Sequence, residues 1–215
     1  MAVSRLGLRV PACVMLLGLM LAGCRTAPPP AEQGPGADAP WPEQRAALER
    51  LVRYGLNGRV AVAANGQGFS ANLRYAQLAR ASQLSLDGPL GIGGLRIELE
   101  GDDLKVATSR GEKLDGPEAR AELERRLGFA LPLEELRWWL LGIPAPGESA
   151  LNADPLTGEI RDFTQNGWRV IVNSREAGMG FSLPKRLTAE RAGEPGETAR
   201  LKLLVEKWGQ VSFSP

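Results

Sequence analysis

The side chain best placed for chemistry is the thiol of Cys24, which stands directly behind Leu21-Ala22-Gly23. A thiol can serve as nucleophile, metal ligand, redox partner or acyl acceptor, and the composition narrows that choice. The sequence holds two cysteines and no histidine. His-based triads are therefore excluded, and the commonest general base and zinc ligand are missing. Gly68-Phe69-Ser70-Ala71-Asn72 is loosely like a nucleophile elbow, but it lacks the final glycine and any histidine to act as base. Ser70 reads instead as a solvent-facing strand residue. The run Gly88-Pro89-Leu90-Gly91-Ile92-Gly93-Gly94 is glycine-rich, yet it has no Lys-Ser/Thr ending, its glycines miss the dinucleotide spacing, and a strand pattern follows where a helix is needed. Asp102-Asp103 marks a turn and Glu134-Glu135 a first helical turn, both ordinary structural placements for carboxylates. No catalytic, metal or cofactor set emerges, and the expectation is a protein that is not an enzyme.

The surroundings of Cys24 favour acyl acceptance. Arg5 and Arg9 precede an apolar run from Val10 to Ala22, the layout of an export signal. Arg9 and Pro11 break a stretch already short for a membrane span. A cysteine placed directly after Leu-Ala-Gly resembles the lipobox of bacterial lipoproteins, in which cleavage leaves that cysteine first and acyl chains are attached to its thiol and amine. The expected organisation is a removed signal over 1–23, a lipid-anchored spacer over 24–40 and a folded domain over 41–215. One acyl chain holds a protein weakly, whereas two or more hold it firmly. Cys13 then leaves with the signal, so the folded part has no thiol for a disulfide or a metal. Lys and Arg number 26 against 25 Asp and Glu. Loss of Arg5 and Arg9 brings the two signs almost level, which gives no basic face for nucleic acid.

The elements that must position any site follow from periodicity. Arg25 to Pro40, with Pro28-Pro29-Pro30 and Gly34-Pro35-Gly36, reads as the spacer. Trp41-Pro42 opens a helix with Leu48, Leu51 and Val52 at helical spacing, ended by Gly55. From Leu56 the period becomes two. Val60 and Val62 alternate with Arg59 and Ala61; Asn65-Gly66 signals a hairpin; Phe69, Ala71, Leu73 and Tyr75 alternate in the return strand. Leu84 and Leu86, then Leu95, Ile97 and Leu99, then Leu104 and Val106 continue an antiparallel meander with one apolar face. Pro117 and Pro132 open two helices, stopped by Gly128 and by Gly142 with Pro144. Ile160 to Thr164 and Trp168 to Asn173 pair across Gln165-Asn166-Gly167, and Phe181 to Glu190 pairs with Leu201 to Trp208. The count is about ten or eleven strands and three helices.

Six local motifs stand in a recognisable order: Asn57-Gly58-Arg59, Gly88-Pro89-Leu90-Gly91, Leu136 to Pro144 (Leu-Arg-Trp-Trp-Leu-Leu-Gly-Ile-Pro), Asn166-Gly167-Trp168, Leu183-Pro184, and Leu201-Lys202-Leu203 leading to Trp208. Behind a lipobox and a spacer, this order resembles the LolB family of outer-membrane lipoprotein-localisation receptors over about Trp41 to Trp208. The resemblance implies a mainly β fold with helices: an unclosed antiparallel β-barrel with a helical lid over a hydrophobic cavity. It implies a monomer on the periplasmic face of the outer membrane, lipid-anchored through Cys24. Such a protein takes lipoprotein cargo by its acyl chains from a soluble, LolA-like periplasmic carrier and inserts it into the membrane, with no cofactor. It assigns Leu90, with Gly88, Pro89, Gly91 and Ile92, to a protruding membrane-insertion loop. Val62, Leu73, Tyr75, Leu86, Ile97, Leu99, Val170 and Val172 are candidates for the cavity wall, and Leu136, Trp139 and Leu140 for the inner stripe of the lid. A lipid-anchored envelope scaffold or sensor on a similar lipoprotein-binding fold, without transfer activity, is the alternative. Tyr75 stands where relatives often carry tryptophan, and Arg59 is expected to be structural.

Overall fold

A computed structural model describes residues 33–88, 94–193 and 198–209. Cys24 and the loop residues Pro89, Leu90, Gly91 and Ile92 lie outside the described residues; Gly88 lies inside. Helix α1 (Trp41–Arg50) has Pro42 in its first turn and buries Trp41, Gln44 and Leu48. It leads into β1 (Arg53–Ala64), β2 (Gln67–Leu78), β3 (Ala81–Asp87), β4 (Gly94–Glu100), β5 (Asp103–Thr108) and the short β6 (Lys113–Asp115). Helices α2 (Gly116–Leu127) and α3 (Leu133–Trp139) interrupt the meander. It resumes with β7 (Ala150–Ala153), β8 (Ile160–Gln165), β9 (Trp168–Gly178), β10 (Phe181–Arg191) and β11 (Ala199–Gly209).

All eleven strands form one sheet in the order β6-β5-β4-β3-β2-β1-β11-β10-β9-β8-β7. Two meanders are thus joined where β1 and β11 pair antiparallel, from Gly55 opposite Gly209 to Ala64 opposite Ala199. The outer strands β6 and β7 each pair on one side only, so the barrel is unclosed. Both Asn-Gly signals become two-residue hairpin turns with positive φ at each position: 52° and 76° at Asn65-Gly66, 51° and 76° at Asn166-Gly167. That turn type matches the right-handed twist of the flanking strands. β1 alternates as expected, with Leu56, Val60, Val62 and Ala64 facing the core. The register shifts at Asn57/Gly58, and a Cβ on Gly58 would stand 2.3 Å from the Leu204 carbonyl oxygen, so the bulge admits no side chain there. Arg59 pairs at 2.8 Å with Glu206 across the exposed face, which gives it the structural role expected. The two edge strands escape the periodicity argument because β6 has three residues and β7 is exposed at every position.

The β7–β8 turn is held by Asp154. Its Oδ1 accepts the N–H groups of Leu156 at 2.9 Å and Thr157 at 3.0 Å, and its other oxygen pairs with Arg161. These backbone hydrogen bonds, with Arg161 behind them, hold the carboxyl at about 2, below its ordinary 3.8. A depressed carboxylate stabilises the fold fully above its unfolded pKa and loses that contribution as pH falls through the folded value. Amide exchange at Leu156 and Thr157 should therefore be flat above pH 5 and accelerate as pH drops from about 4 towards 2, after correction for intrinsic rates. In Asp154→Asn that acid-dependent step should vanish.

The spacer ends earlier than its composition suggests. Gly34 N–H donates to the Met179 carbonyl at 2.8 Å and Gly36 N–H to the Gly180 carbonyl at 2.9 Å. Residues 34–36 therefore lie against the β9–β10 turn.

Candidate apolar cavity

The concave face of the sheet and the helices border a partly open cavity of about 90 Å³. Its wall comes from Val60 and Val62 of β1, Leu73 of β2, Leu84 and Leu86 of β3, Trp168 and Val170 of β9, Leu187 and Ala189 of β10, and Leu201 and Leu203 of β11. Its cover comes from Leu127 at the end of α2, Phe129, Leu131 and Pro132 in the connection, and Leu136, Trp139 and Leu140 on and after α3. Every lining residue is apolar, so the space offers dispersion and exclusion of water but no specific polar recognition. At this volume it is smaller than the ~150 Å³ cavity known to admit a benzene ring in a small protein. Full burial of a long acyl chain therefore requires the cover to move away from the wall.

Leu136, Trp139 and Leu140 recur at helical spacing, which turns them together onto the cavity. The Trp139 ring packs edge-on against Phe163 at 6.2 Å and beside Trp168 at 6.3 Å, while Phe129 meets Trp168 at 5.6 Å. The position of the cover is set by Gln165, which is buried at the end of β8. Its Oε1 accepts both the Trp139 indole N–H and the Ala145 N–H at 2.9 Å, and its Nε2 donates to the Ala145 carbonyl at 2.9 Å. One amide side chain thus ties the end of α3 and the chain after it to the sheet. Gln165→Leu leaves two buried donors and one acceptor unpaired, at roughly 1–3 kcal/mol for each buried orphan. Thermal denaturation should show a clear fall in Tm, and quenching of tryptophan fluorescence by acrylamide should rise as the cover loosens.

Of the wall and lid candidates, the structure brings together Val62, Leu73, Leu86, Leu136, Trp139, Leu140 and Val170 around the cavity. Tyr75, Ile97, Leu99 and Val172 lie elsewhere, and each has a physical reason. Tyr75 stacks beside Tyr54 at 5.6 Å, and its hydroxyl donates to the buried Gln77 Oε1 at 2.5 Å. A phenol needs a partner for its O–H, and Gln77 offers one only at the closed end of the sheet. Burial pushes both tyrosine hydroxyls well above their ordinary pKa, so they remain neutral donors. Ile97 and Leu99 lie on β4 opposite Val106 and Leu104 of β5, the strand against which α2 packs; there a helix closes the apolar face. Val172 faces the turn after α3, where its Cγ2 stands 3.3 Å from the site a Cβ on Gly142 would occupy. Among the lining residues not anticipated, Val60, Leu84, Leu201 and Leu203 were open to discovery, since each shares strand parity with a neighbour on the cavity side.

The closed end is built round Arg175. Its guanidinium lies 4.5 Å over the Trp41 ring, donates to the carbonyls of Ser182 at 3.1 Å and Ile160 at 3.0 Å, and pairs with Glu159 at 3.2 Å. Burial lowers its pKa to about 10, with Glu159 opposing the shift, so it stays charged at neutral pH. Gly88, the described part of the proposed loop, follows β3 with its Cα tight on β2: a Cβ there would lie 3.0 Å from the Ser70 carbonyl oxygen. Among the described residues no helix is long and apolar enough to cross a membrane, and no cluster of three potential metal ligands occurs.

Residues 52–208 match the family model described as outer membrane lipoprotein LolB. The outer-membrane lipoprotein LolB of Stutzerimonas stutzeri is 28% identical over 193 residues, covering 89% of this chain and 91% of its own. That of Nitrosococcus oceani is 28% identical over 201 residues, covering 91% and 94%. Among solved structures, a LolA superfamily protein from Nitrosomonas europaea superposes with a TM-score of 0.49 at 12% identity, covering 75% of this chain and 87% of that one.

Proposed function

The chain belongs to the LolB family of outer-membrane lipoproteins, and on that premise we propose that it is the receptor at the end of a lipoprotein delivery route. It accepts lipoproteins from a soluble, LolA-like periplasmic carrier, shelters their acyl chains in the cavity between sheet and lid, and releases them into the inner leaflet of the outer membrane. The observation that carries this reading is the lining itself: eleven wall residues from six strands and seven cover residues, all apolar, with the Trp139 indole N–H already bound to Gln165. Acyl chains cannot cross water bare, since each buried methylene is worth about 0.8 kcal/mol, and a dry apolar space meets that need. The small resting volume fits a receptor whose cover opens as cargo arrives.

Handover makes and breaks no covalent bond. It runs downhill when the receptor holds the chains more tightly than the carrier does and the bilayer holds them more tightly still. Cys24 supplies the anchor in this scheme, and Leu90, presented by Gly88, Pro89, Gly91 and Ile92, enters the bilayer surface to open a path for cargo. The test is reconstitution. Carrier loaded with fluorescent lipoprotein is mixed with this protein and then with liposomes, and cargo should appear first on the protein and next in the liposome fraction. Stable cargo binding with no delivery would favour the scaffold or sensor reading; no handover from the carrier would remove the receptor reading.

A further inference from the structure

The end of the spacer is fastened to the folded domain at a particular place. Gly34 and Gly36 donate to the carbonyls of Met179 and Gly180 at 2.8 and 2.9 Å. Gln44 of α1, itself buried, locks the segment from the other side. Its Nε2 donates to the carbonyls of Ala37 at 2.9 Å and Ala39 at 2.7 Å, and its Oε1 accepts the Ser182 N–H of β10 at 2.7 Å. The approach leaves no room for a side chain. A Cβ on Gly34 would stand 2.2 Å from the Gly180 carbonyl oxygen and 2.6 Å from Phe181 Cδ2.

Strand directions show which end of the sheet this is. The β9–β10 turn lies where Gly178 faces Phe181. β11 ends at Gly209 and β1 begins near Gly55 on that same side, as do Leu78 and Ala81 at the β2–β3 turn. The β1–β2 turn, where Ala64 faces Gln67, lies at the opposite end, and β3 stops short of it, with Asp87 opposite Asn72. The spacer therefore joins the domain at the end remote from the β1–β2 turn.

We propose that this fastening is a clamp that sets both the orientation and the reach of the membrane anchor. The proposal rests on the reading of Cys24 as the lipidated residue. Cys24 and Gly34 are ten positions apart. Fully extended, ten residues span at most about 36 Å, and about 31 Å in a polyproline conformation. The 11-residue β10 is itself roughly 33 Å long at the usual rise of about 3.3 Å per residue. With the clamp closed, the end bearing the β1–β2 turn reaches the protein's own bilayer only on a taut spacer or with the barrel lying along the surface. The β9–β10 end is the one held near the membrane. Opening the clamp frees residues 34–40 and lengthens the leash by about 25 Å at extended-chain rise, enough to let the far end turn to the bilayer.

Gly34→Val tests this, because the clash is with backbone and Gly34 lies outside the cavity. The native lipidated protein is used, in which cysteines introduced at Asp38 and Lys207, both exposed, carry spin labels. The label-to-label distance distribution should be narrow in the parent and broaden at least twofold in Gly34→Val, with Tm unchanged. In a second pair of proteins anchored in liposomes, a fluorophore on Gln67→Cys at the far end should be quenched weakly by a bilayer quencher in the parent and severalfold more in Gly34→Val. A broad distribution in the parent, a narrow one in Gly34→Val, or equal quenching of the two anchored proteins overturns the clamp. Neither readout uses cargo, so failure of the receptor reading is seen separately, and mass spectrometry of the purified protein checks the lipid on Cys24 independently.

Discussion

An Ala189→Phe variant is expected to lose acyl-chain binding by tenfold or more while keeping the parent fold. Ala189 lies on β10 and lines the cavity, where it is the smallest wall residue. A phenyl ring projecting from that point occupies most of a space of about 90 Å³ and pushes against the lid residues from below. In a filled core, added methylenes cost about 1–3 kcal/mol through strain. Here part of the ring enters existing free volume, so the fall in Tm should be small. The cost falls instead on cargo, which must displace both the lid and the new ring; a tenfold loss corresponds to about 1.4 kcal/mol. Titration with a fluorescent triacylated lipopeptide measures it directly, and circular dichroism with thermal melting reports on the fold. Parent-like affinity in a folded Ala189→Phe protein would place the acyl chains somewhere other than this cavity.

A Leu90→Glu variant is expected to separate acceptance from delivery. The substitution lies in the Pro-Leu-Gly loop, which supplies none of the described lining residues, so cargo should still pass from carrier to receptor at the parent rate. Insertion into liposomes should fall by more than tenfold, because a carboxylate at the apolar tip resists entry into the bilayer at a cost of order 2–3 kcal/mol at full depth. The measurement is the two-step reconstitution, with cargo on the receptor and cargo in liposomes followed separately. Loss of both steps together would make Leu90 a folding or docking residue, and normal insertion would remove the loop from delivery. A conservative Leu90→Ile control should insert like the parent.

The two predictions rest on different kinds of information. The Leu90 prediction comes from motif order, which resembles that of the LolB family, and from the glycines and proline that flank the leucine in the sequence. The Ala189 prediction could not have been written from the sequence. Nothing in Leu187-Thr188-Ala189 distinguishes a wall residue from an ordinary core residue; only the curvature of the sheet shows that Ala189 borders a void. The same limit explains the four displaced wall candidates. Ile97 and Leu99 share the strand parity of Val60 and Val62, and parity is all that alternation reports. Whether the apolar face at that strand meets a helix or a cavity depends on where α2 comes to rest. Tyr75 has the correct parity too, yet its hydroxyl takes it to Gln77 and into the closed aromatic end.

The helices show a related division. Pro42, Pro117, Pro132 and the left-handed glycines Gly128 and Gly142 mark helix ends in the sequence, and the structure places the ends there to within a few residues. Gln165 carries no comparable signal. It sits beside an Asn-Gly turn, where a polar residue reads as solvent-facing, and only the folded chain reveals it buried against Trp139 and Ala145. The proline- and glycine-rich spacer likewise reads as unattached, whereas Gly34 owes its place to a hydrogen bond with Met179 far along the chain.

The amino-acid sequence by itself determined the three helices and the longer strands, the hairpin turns, the apolar face, the absence of histidine chemistry and the family. These depend on local periodicity, on backbone preferences within a few residues, or on composition and the order of motifs. Tertiary structure alone decided which apolar residues border free volume, that one buried glutamine holds the lid, and that the spacer joins the sheet at the end remote from the β1–β2 turn. Each of these joins residues distant in the chain, and such pairings are fixed by how the sheet curves and where helices dock, for which no local pattern exists.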